Sequence, residues 1–212
     1  MAAFGARGTG KTAWVKQQVA RDKPGRLLAW DFKHDPSLND GMGDAVNDLA
    51  AIARGATAAR FKLRYMVDHN KDITEQFDLF CRIAWAAGDL TLFVDELPEV
   101  TKANRAPPAW RKAVNVGREY RGQDGKLKHL TIIGAGQRPA ECDKSFIANC
   151  DVIHTGRLGD MGDAKRIASA WGCNPAELAT MPDLHWVEKR ADSAELTRGI
   201  LKFSAKKPQK TT

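Results

Sequence analysis

No apolar run in the 212 residues approaches the roughly 20 needed to span a bilayer. No basic-then-apolar leader opens the chain either. Both absences set the expectation of a soluble protein with no transmembrane segment. Only four cysteines occur, Cys81, Cys142, Cys150 and Cys173, and none stands in C-x-x-C or finger spacing. That spacing argues against a redox pair or a zinc finger, and leaves reduced, mostly buried thiols of a cytosolic protein as the expectation. Acidic charge is in short supply: 26 Asp and Glu stand against 33 Lys and Arg, a formal net charge of +7. Such a balance favours a polyanionic partner such as nucleic acid. Part of the excess lies in the tail 204–212, which has little to fold around and is expected to be a basic flexible segment. Hydrophobic content of 43% and charged content of 28% are ordinary for a globular chain. The length suits one well-buried α/β domain over 1–203 rather than two.

What is present begins at residue 5. Gly5-Ala6-Arg7-Gly8-Thr9-Gly10-Lys11-Thr12 is a complete G-x-x-x-x-G-K-[ST] phosphate-binding loop. Its glycines let backbone N–H groups curl around phosphates where a Cβ would clash. Lys11 supplies a point charge for the β- and γ-phosphates, and the Thr12 hydroxyl can ligand Mg²⁺. Ala13 and the residues after it suit a helix whose N-terminal dipole faces the anion. The bound ligands expected from this loop are ATP and Mg²⁺.

Strands and helices alternate along the rest of the chain, as in a parallel sheet covered on both faces. The first strand is short, residues 1–4, against the usual five or six. Either it starts abruptly or the original chain begins further upstream. A helix over 12–21 and a Pro24-Gly25 turn lead to a strand over 27–31. Residues 44–53 read as an amphipathic helix, and 60–67 alternate like a strand with one solvated face. The helix over 74–87 carries Phe77, Phe80, Cys81 and Trp85 at helical spacing, which reads as core. A further helix is expected over 107–120, opening on Pro107-Pro108. Strands follow at 130–135 and 152–155 and helices at 162–171 and 175–180. Segments 184–189 and 196–203 could close the domain as a C-terminal hairpin.

Two strand ends carry the expected chemistry. Leu90-Thr91-Leu92-Phe93-Val94 is an apolar strand ending in Asp95-Glu96. A buried strand delivers Asp95 beside the phosphate loop, where it can hold the hydration shell of Mg²⁺. Glu96, one residue on, is placed to polarise an attacking water as general base. An acid pair of this kind argues for hydrolysis over a small-molecule kinase, which needs an acceptor pocket and a lid. Gln137, past the strand at 130–135, suits sensing a γ-phosphate or orienting water.

The order of these parts resembles the FtsK/HerA lineage of P-loop ATPases, which contains DNA translocases and the genome-packaging ATPases of membrane-containing viruses. The likeness spans roughly residues 1–170. Asp31-Phe32-Lys33 looks like the family's Asp-Pro-Lys, and Asp95-Glu96 matches its strand-end carboxylates. Ile132-Ile133-Gly134-Ala135-Gly136-Gln137-Arg138-Pro139 is similar to its strand ending in Gln-Arg-Pro. Ile147-Ala148-Asn149-Cys150-Asp151-Val152-Ile153 resembles the segment that resumes the next strand. The resemblance implies a RecA-like P-loop NTPase with a mainly parallel central sheet flanked by helices. It also implies an oligomeric ring, usually a hexamer, with ATP bound between subunits. Gln137 would then be the polar sensor, and an arginine from the neighbour would complete the site. Arg118, Arg121 and Arg157 are candidates for that trans finger. Arg7 resembles the loop arginine of some viral packaging motors and could act in cis. The chain lacks the membrane segment, winged-helix DNA reader and N-terminal barrel of the larger translocases. The expectation is therefore a minimal packaging motor that grips double-stranded DNA through phosphates without reading sequence.

Such a motor would work in the host cytoplasm or at a packaging vertex of the virion. Segments 102–105 and 122–128 are basic and suit channel loops or solvated turns equally. A Zot-like phage assembly ATPase is the nearest alternative, although that family usually carries a transmembrane segment. A non-motor ATP-binding switch is the other, and it would need neither a general base nor a sensor.

Overall fold

A computed structural model describes residues 1–202 of the chain. In chain order the elements are β1 (Ala2–Phe4), α1 (Lys11–Asp22), β2 (Arg26–Asp31), β3 (Asp44–Val46), α2 (Leu49–Gly55), β4 (Phe61–Met66), α3 (Ile73–Ala87) and β5 (Leu90–Val94). Then come α4 (Leu97–Val100), α5 (Pro108–Val116), the short strands β6 (Tyr120–Arg121) and β7 (Leu127–Lys128), and β8 (Leu130–Gly136). The chain continues through α6 (Lys144–Ala148), β9 (Val152–Thr155), α7 (Met161–Trp171) and α8 (Pro175–Thr180) to β10 (His185–Arg190) and β11 (Leu196–Ile200).

Nine strands form one sheet in the order β11-β10-β9-β1-β8-β5-β2-β4-β3. From β3 to β9 every neighbouring pair is parallel, and β10 and β11 close the far edge as an antiparallel pair. The hairpin expected at the end of the chain is therefore present over its described residues; the tail 204–212 lies outside them. The central strands are apolar on both faces because both are covered. Within β2, Leu28 and Trp30 enter the core beneath α3 and α5, while Leu27 and Ala29 face Trp14, Val15 and Val19 of α1. Phe77, Phe80 and Cys81 are buried in the first of these cores, as their spacing predicts, and Trp85 is half-buried against Tyr120.

The three residues of β1 suffice because loop groups lengthen its ladder: Gly134 donates to Met1 O at 3.1 Å and Gly156 to Phe4 O at 2.9 Å. The helix expected over 44–53 is instead the edge strand β3 followed by α2. Gly43, with φ +104, lies so close to the backbone of Lys62 that the next three residues are laid against β4. The Asp48 side chain then starts α2 by accepting from the N–H groups of Ala50 and Ala51. The helix expected over 107–120 ends at Val116, because Gly117 O accepts from Leu130 N at 2.7 Å and Tyr120 pairs with Lys128 in a small hairpin. Cys81 and Cys142 are buried, Cys150 and Cys173 half-buried, and all four are free thiols.

Candidate active site

The parallel strands all point their carboxyl ends to one edge, where helices leave and polar groups collect. β1 delivers the phosphate loop there, β2 delivers Lys33, β5 delivers Asp95 and Glu96, and β8 delivers Gln137. The loop runs from Gly5 to Gly10 and is tied to the end of β9 by Ala6 N donating to Arg157 O at 2.7 Å. Gly8 and Gly10 have φ of +82 and +94, a region that side chains resist and that turns successive N–H groups inward. No atom lies within 4 Å of where a Cβ on Gly8 would stand, so the loop is uncovered at this residue. Thr9 folds back, its hydroxyl donating to Ala6 O at 2.9 Å. The Lys11 ammonium donates to the carbonyls of Gly5 and Ala6 at 2.7 and 2.9 Å, which fixes it at the mouth of the loop. Burial pulls its pKa down, with the Lys33 charge adding to the effect and the Glu96 and Asp95 carboxylates opposing it. Thr12 and Ala13 follow in the first turn of α1, both half-buried.

Asp95 is buried, and burial pushes its pKa up to about 7, with the neighbouring Glu96 charge adding and Lys33 opposing. A carboxyl so placed gains from any cation brought beside it. The Thr12 hydroxyl, in the first turn of α1, and Asp95, at the end of β5, are hard oxygen donors on the same edge of the sheet, a set that fits Mg²⁺. Glu96 is 5% exposed and adopts the left-handed conformation, φ 48 and ψ 54, at the turn between β5 and α4. A non-glycine residue there is strained. Pro98 of α4 packs on β8 at Gly136, where a Cβ would meet Pro98 Cδ at 2.6 Å. This contact brings Gln137 level with Glu96, and its Nε2 donates to Glu96 Oε1 at 3.2 Å. The Lys33 ammonium is ion-paired to the same oxygen.

Behind Gln137, Arg138 and Ala140 are anchored. Arg138 Nε donates to Asp163 Oδ2 at 2.6 Å, and Ala140 N donates to Asp163 Oδ1 at 2.9 Å, with Asp163 itself 1% exposed in the first turn of α7. Behind Lys33, Asp31 is fully buried and paired to Arg64 of β4, whose other amino group donates to Asn39 Oδ1. Behind the loop, Trp14 of α1 stacks on His154 of β9 at 4.7 Å, and His154 meets Trp186 of β10 at 5.3 Å. Burial holds the His154 pKa below its ordinary value despite the Glu188 carboxylate 3.5 Å from Nδ1.

The edge therefore brings together Gly5, Ala6, Arg7, Gly8, Thr9, Gly10, Lys11, Thr12, Asp95, Glu96 and Gln137. Arg7 is exposed at the crest of the loop. Arg157 lies beside the loop, its guanidinium donating to Asp183 Oδ1 at 2.7 Å. Arg118 and Arg121 are elsewhere: Arg118 pairs with Asp151, just before β9, and Arg121 donates to Gly125 O within the β6–β7 hairpin, at the amino ends of the strands. Lys33 belonged to a recognised motif but had no assigned role. A lysine two positions past a parallel strand end was the available signal. Arg64 was concealed by alternation, which put it on a face read as solvated.

No protein-family model matches the chain. By sequence it is similar to Protein P9 of Pseudoalteromonas phage PM2, 27% identical over 171 residues, covering 79% of this chain and 69% of that protein. By structure it superposes on the genome packaging NTPase B204 from Sulfolobus turreted icosahedral virus 2 in complex with sulfate. The TM-score is 0.72 with 14% identity, over 96% of both chains. The chain has the fold of the genome-packaging NTPases. B204 in complex with ATP-gammaS matches this packaging-NTPase fold at a TM-score of 0.70 with 15% identity, over 93% of this chain and 94% of that one. The bacterial conjugative coupling protein TrwBdeltaN70 shares it at 0.64 and 11% identity, over 96% of this chain and 84% of that chain. The P-loop architecture expected from the sequence, a mainly parallel sheet with a terminal antiparallel pair, is thus found in full. No helix among the described residues is long and apolar enough to cross a membrane.

Proposed function

We propose that the chain is an ATP-hydrolysing DNA-translocating motor of the genome-packaging type, working as a ring, in the expected case a hexamer. The observation that carries this reading is the Glu96 carboxylate, buried at the loop edge and held by the Gln137 amide. A protein that only bound nucleotide would have no use for a buried, strained carboxylate at that place.

In this reading the loop N–H groups and Lys11 cradle the triphosphate, and Thr12 and Asp95 hold Mg²⁺. Held by Thr12 and Asp95, such a cation would supply charge neutralisation to the phosphates. Gln137 orients a water, and Glu96 accepts its proton as the water oxygen bonds the γ-phosphorus. The bond from that phosphorus to the β–γ bridging oxygen breaks, and ADP and phosphate leave. An arginine of a neighbouring subunit neutralises charge on the transferring group. A head-to-tail ring joins two unlike surfaces, and Arg118 and Arg121 stand far enough from their own loop to serve a neighbour's. Arg157 and Arg7, next to their own loop, suit a role in cis. Support for DNA as the cargo comes from the net charge of +7 and from the likeness to B204 and TrwB. The basic segments 102–105 and 122–128 are the proposed grips on duplex phosphates, and a capsid vertex is the proposed docking partner.

The test is steady-state ATP hydrolysis with and without duplex DNA across protein concentration, beside Glu96→Gln. Turnover that rises with DNA and with concentration, and is lost in the variant, supports the motor. Turnover indifferent to DNA and concentration overturns it in favour of a switch or assembly ATPase.

A further inference from the structure

Two ammonium groups lie near Glu96: Lys33 is ion-paired to it, and Lys11 feels the charge of both. Lys11 is spoken for by the Gly5 and Ala6 carbonyls. Among the described residues Lys33 has only Glu96 as a partner, and its side chain, a flexible four-carbon stem, is 45% exposed. Its backbone, by contrast, is pinned. Asp35 N donates to Asp31 Oδ1 at 3.0 Å, the His34 ring bonds Val67 O at 2.8 Å, and the His69 ring bonds Phe32 O at 2.8 Å. A rigid base carrying a cation on a flexible stem, beside an anion-binding loop, suits a charge that can exchange between two anionic partners. The partner it has without nucleotide is a single carboxylate. A terminal phosphate in the loop would present more charge and more acceptor oxygens to the same ammonium.

We propose that Lys33 is a positioning residue that reads the terminal phosphate. Without nucleotide it clamps Glu96 Oε1; with a triphosphate bound it transfers to the γ-phosphate and leaves Glu96 to Gln137 and the attacking water. A diphosphate does not reach it, so Glu96 stays clamped after hydrolysis. No bond is made or broken in this exchange beyond the ion pair itself. The inference rests on the ATPase reading and assigns to that site the group that distinguishes ATP from ADP.

The experiment is equilibrium binding of ATPγS and ADP to the full chain as wild type, Lys33→Met, Lys33→Arg, Glu96→Gln and the Lys33→Met/Glu96→Gln double variant. Thermal melting of each reports folding. Lys33→Met is expected to weaken ATPγS about tenfold or more while ADP changes less than about twofold, and Lys33→Arg to recover part of the loss. Glu96→Gln frees the clamp and should tighten ATPγS several-fold, a gain the double variant loses. A folded Lys33→Met that shifts both nucleotides equally, or neither, overturns the proposal, as does a Glu96→Gln gain that survives removal of Lys33. Should the wild type bind and hydrolyse ATP with the ratio unmoved, the clamp fails and the ATPase reading stands. Should it bind neither nucleotide, both fail.

Discussion

Gln137 donates to Oε1 of Glu96 across 3.2 Å, joining the ends of two strands that are neighbours in the sheet but 41 residues apart in the chain. The pairing is set by α4, whose Pro98 rests where Gly136 has no side chain. An amide that both holds the carboxylate and faces the loop can position a water between the two.

Glu96→Gln should lower phosphate release by at least about 100-fold while ATPγS still binds, since the proton acceptor is removed and the phosphate-binding groups are kept. A variant that keeps wild-type turnover would dismiss Glu96 as the base.

Gln137→Ala should reduce kcat about 10- to 100-fold with KM little changed, because orientation of the water matters in the transition state and not in substrate binding. Initial-rate kinetics separate the cases: a raised KM at constant kcat would make Gln137 a binding residue only.

Arg64→Met should destabilise the fold by about 3–5 kcal/mol, because it strands the Asp31 carboxylate, 0% exposed, without its cation. Asp31→Leu added to Arg64→Met should recover most of that loss in chemical denaturation. If the double variant is no better than the single, the ion pair is not what Arg64 contributes.

Asp163→Ala should cost about 2 kcal/mol of stability, since two buried acceptors are lost while the half-exposed Arg138 can still find water. Turnover of the folded variant should fall as well, as Gln137 loses the anchor immediately behind it. An unchanged melting temperature would show that Asp163 carries no such load.

The His154 imidazole supplies one part of the pH dependence, and the Asp95 carboxyl, pushed up to about 7, supplies another. The folded pKa of His154 lies below the ordinary 6.5, so the folded state resists a proton that the unfolded chain accepts. The contribution of His154 is therefore complete above about pH 6.5 and declines as pH falls below it, by up to about 1.4 kcal/mol per unit, while the raised Asp95 carboxyl acts in the opposite direction. His154→Phe, which keeps the stack between Trp14 and Trp186, should remove the His154 part of the decline, so that stability at pH 5.5 relative to pH 7.5 is higher than in the wild type. An identical slope in the variant would locate the titration elsewhere.

The phosphate loop and the buried strands were legible because their signals are local: glycine spacing, a lysine at a fixed offset, unbroken apolar runs. Asp95, Glu96 and Gln137 were legible because strand ends of a parallel sheet converge. Arg64 was not, since an arginine alternating with Leu63 and Tyr65 looks solvated until a buried Asp31 is brought opposite it by the pairing of β2 with β4. Nor was β3, where 44–53 has helical periodicity but Gly43 presses the chain onto a neighbouring strand. Asp163 escaped because its partner lies 25 residues away and the contact depends on how α7 docks. In each case a long-range contact overrode the local pattern.

The position of β1 in the sheet governs when the phosphate loop can take shape. β2, β4, β3 and β5 pair with one another using residues 26–94, so one half of the sheet can assemble as soon as they leave the ribosome. β1 is made before any of them, yet Ala2 pairs only with Gly134 and Ile153. β1 must wait, unpaired and apolar, until β8 is complete at residue 136 of the 212. Such non-local closure is slow and exposes the waiting segment to wrong partners. The phosphate loop is thus among the last parts of the molecule to be set in place, and a nascent or truncated chain ending before β8 lacks the strands that hold β1.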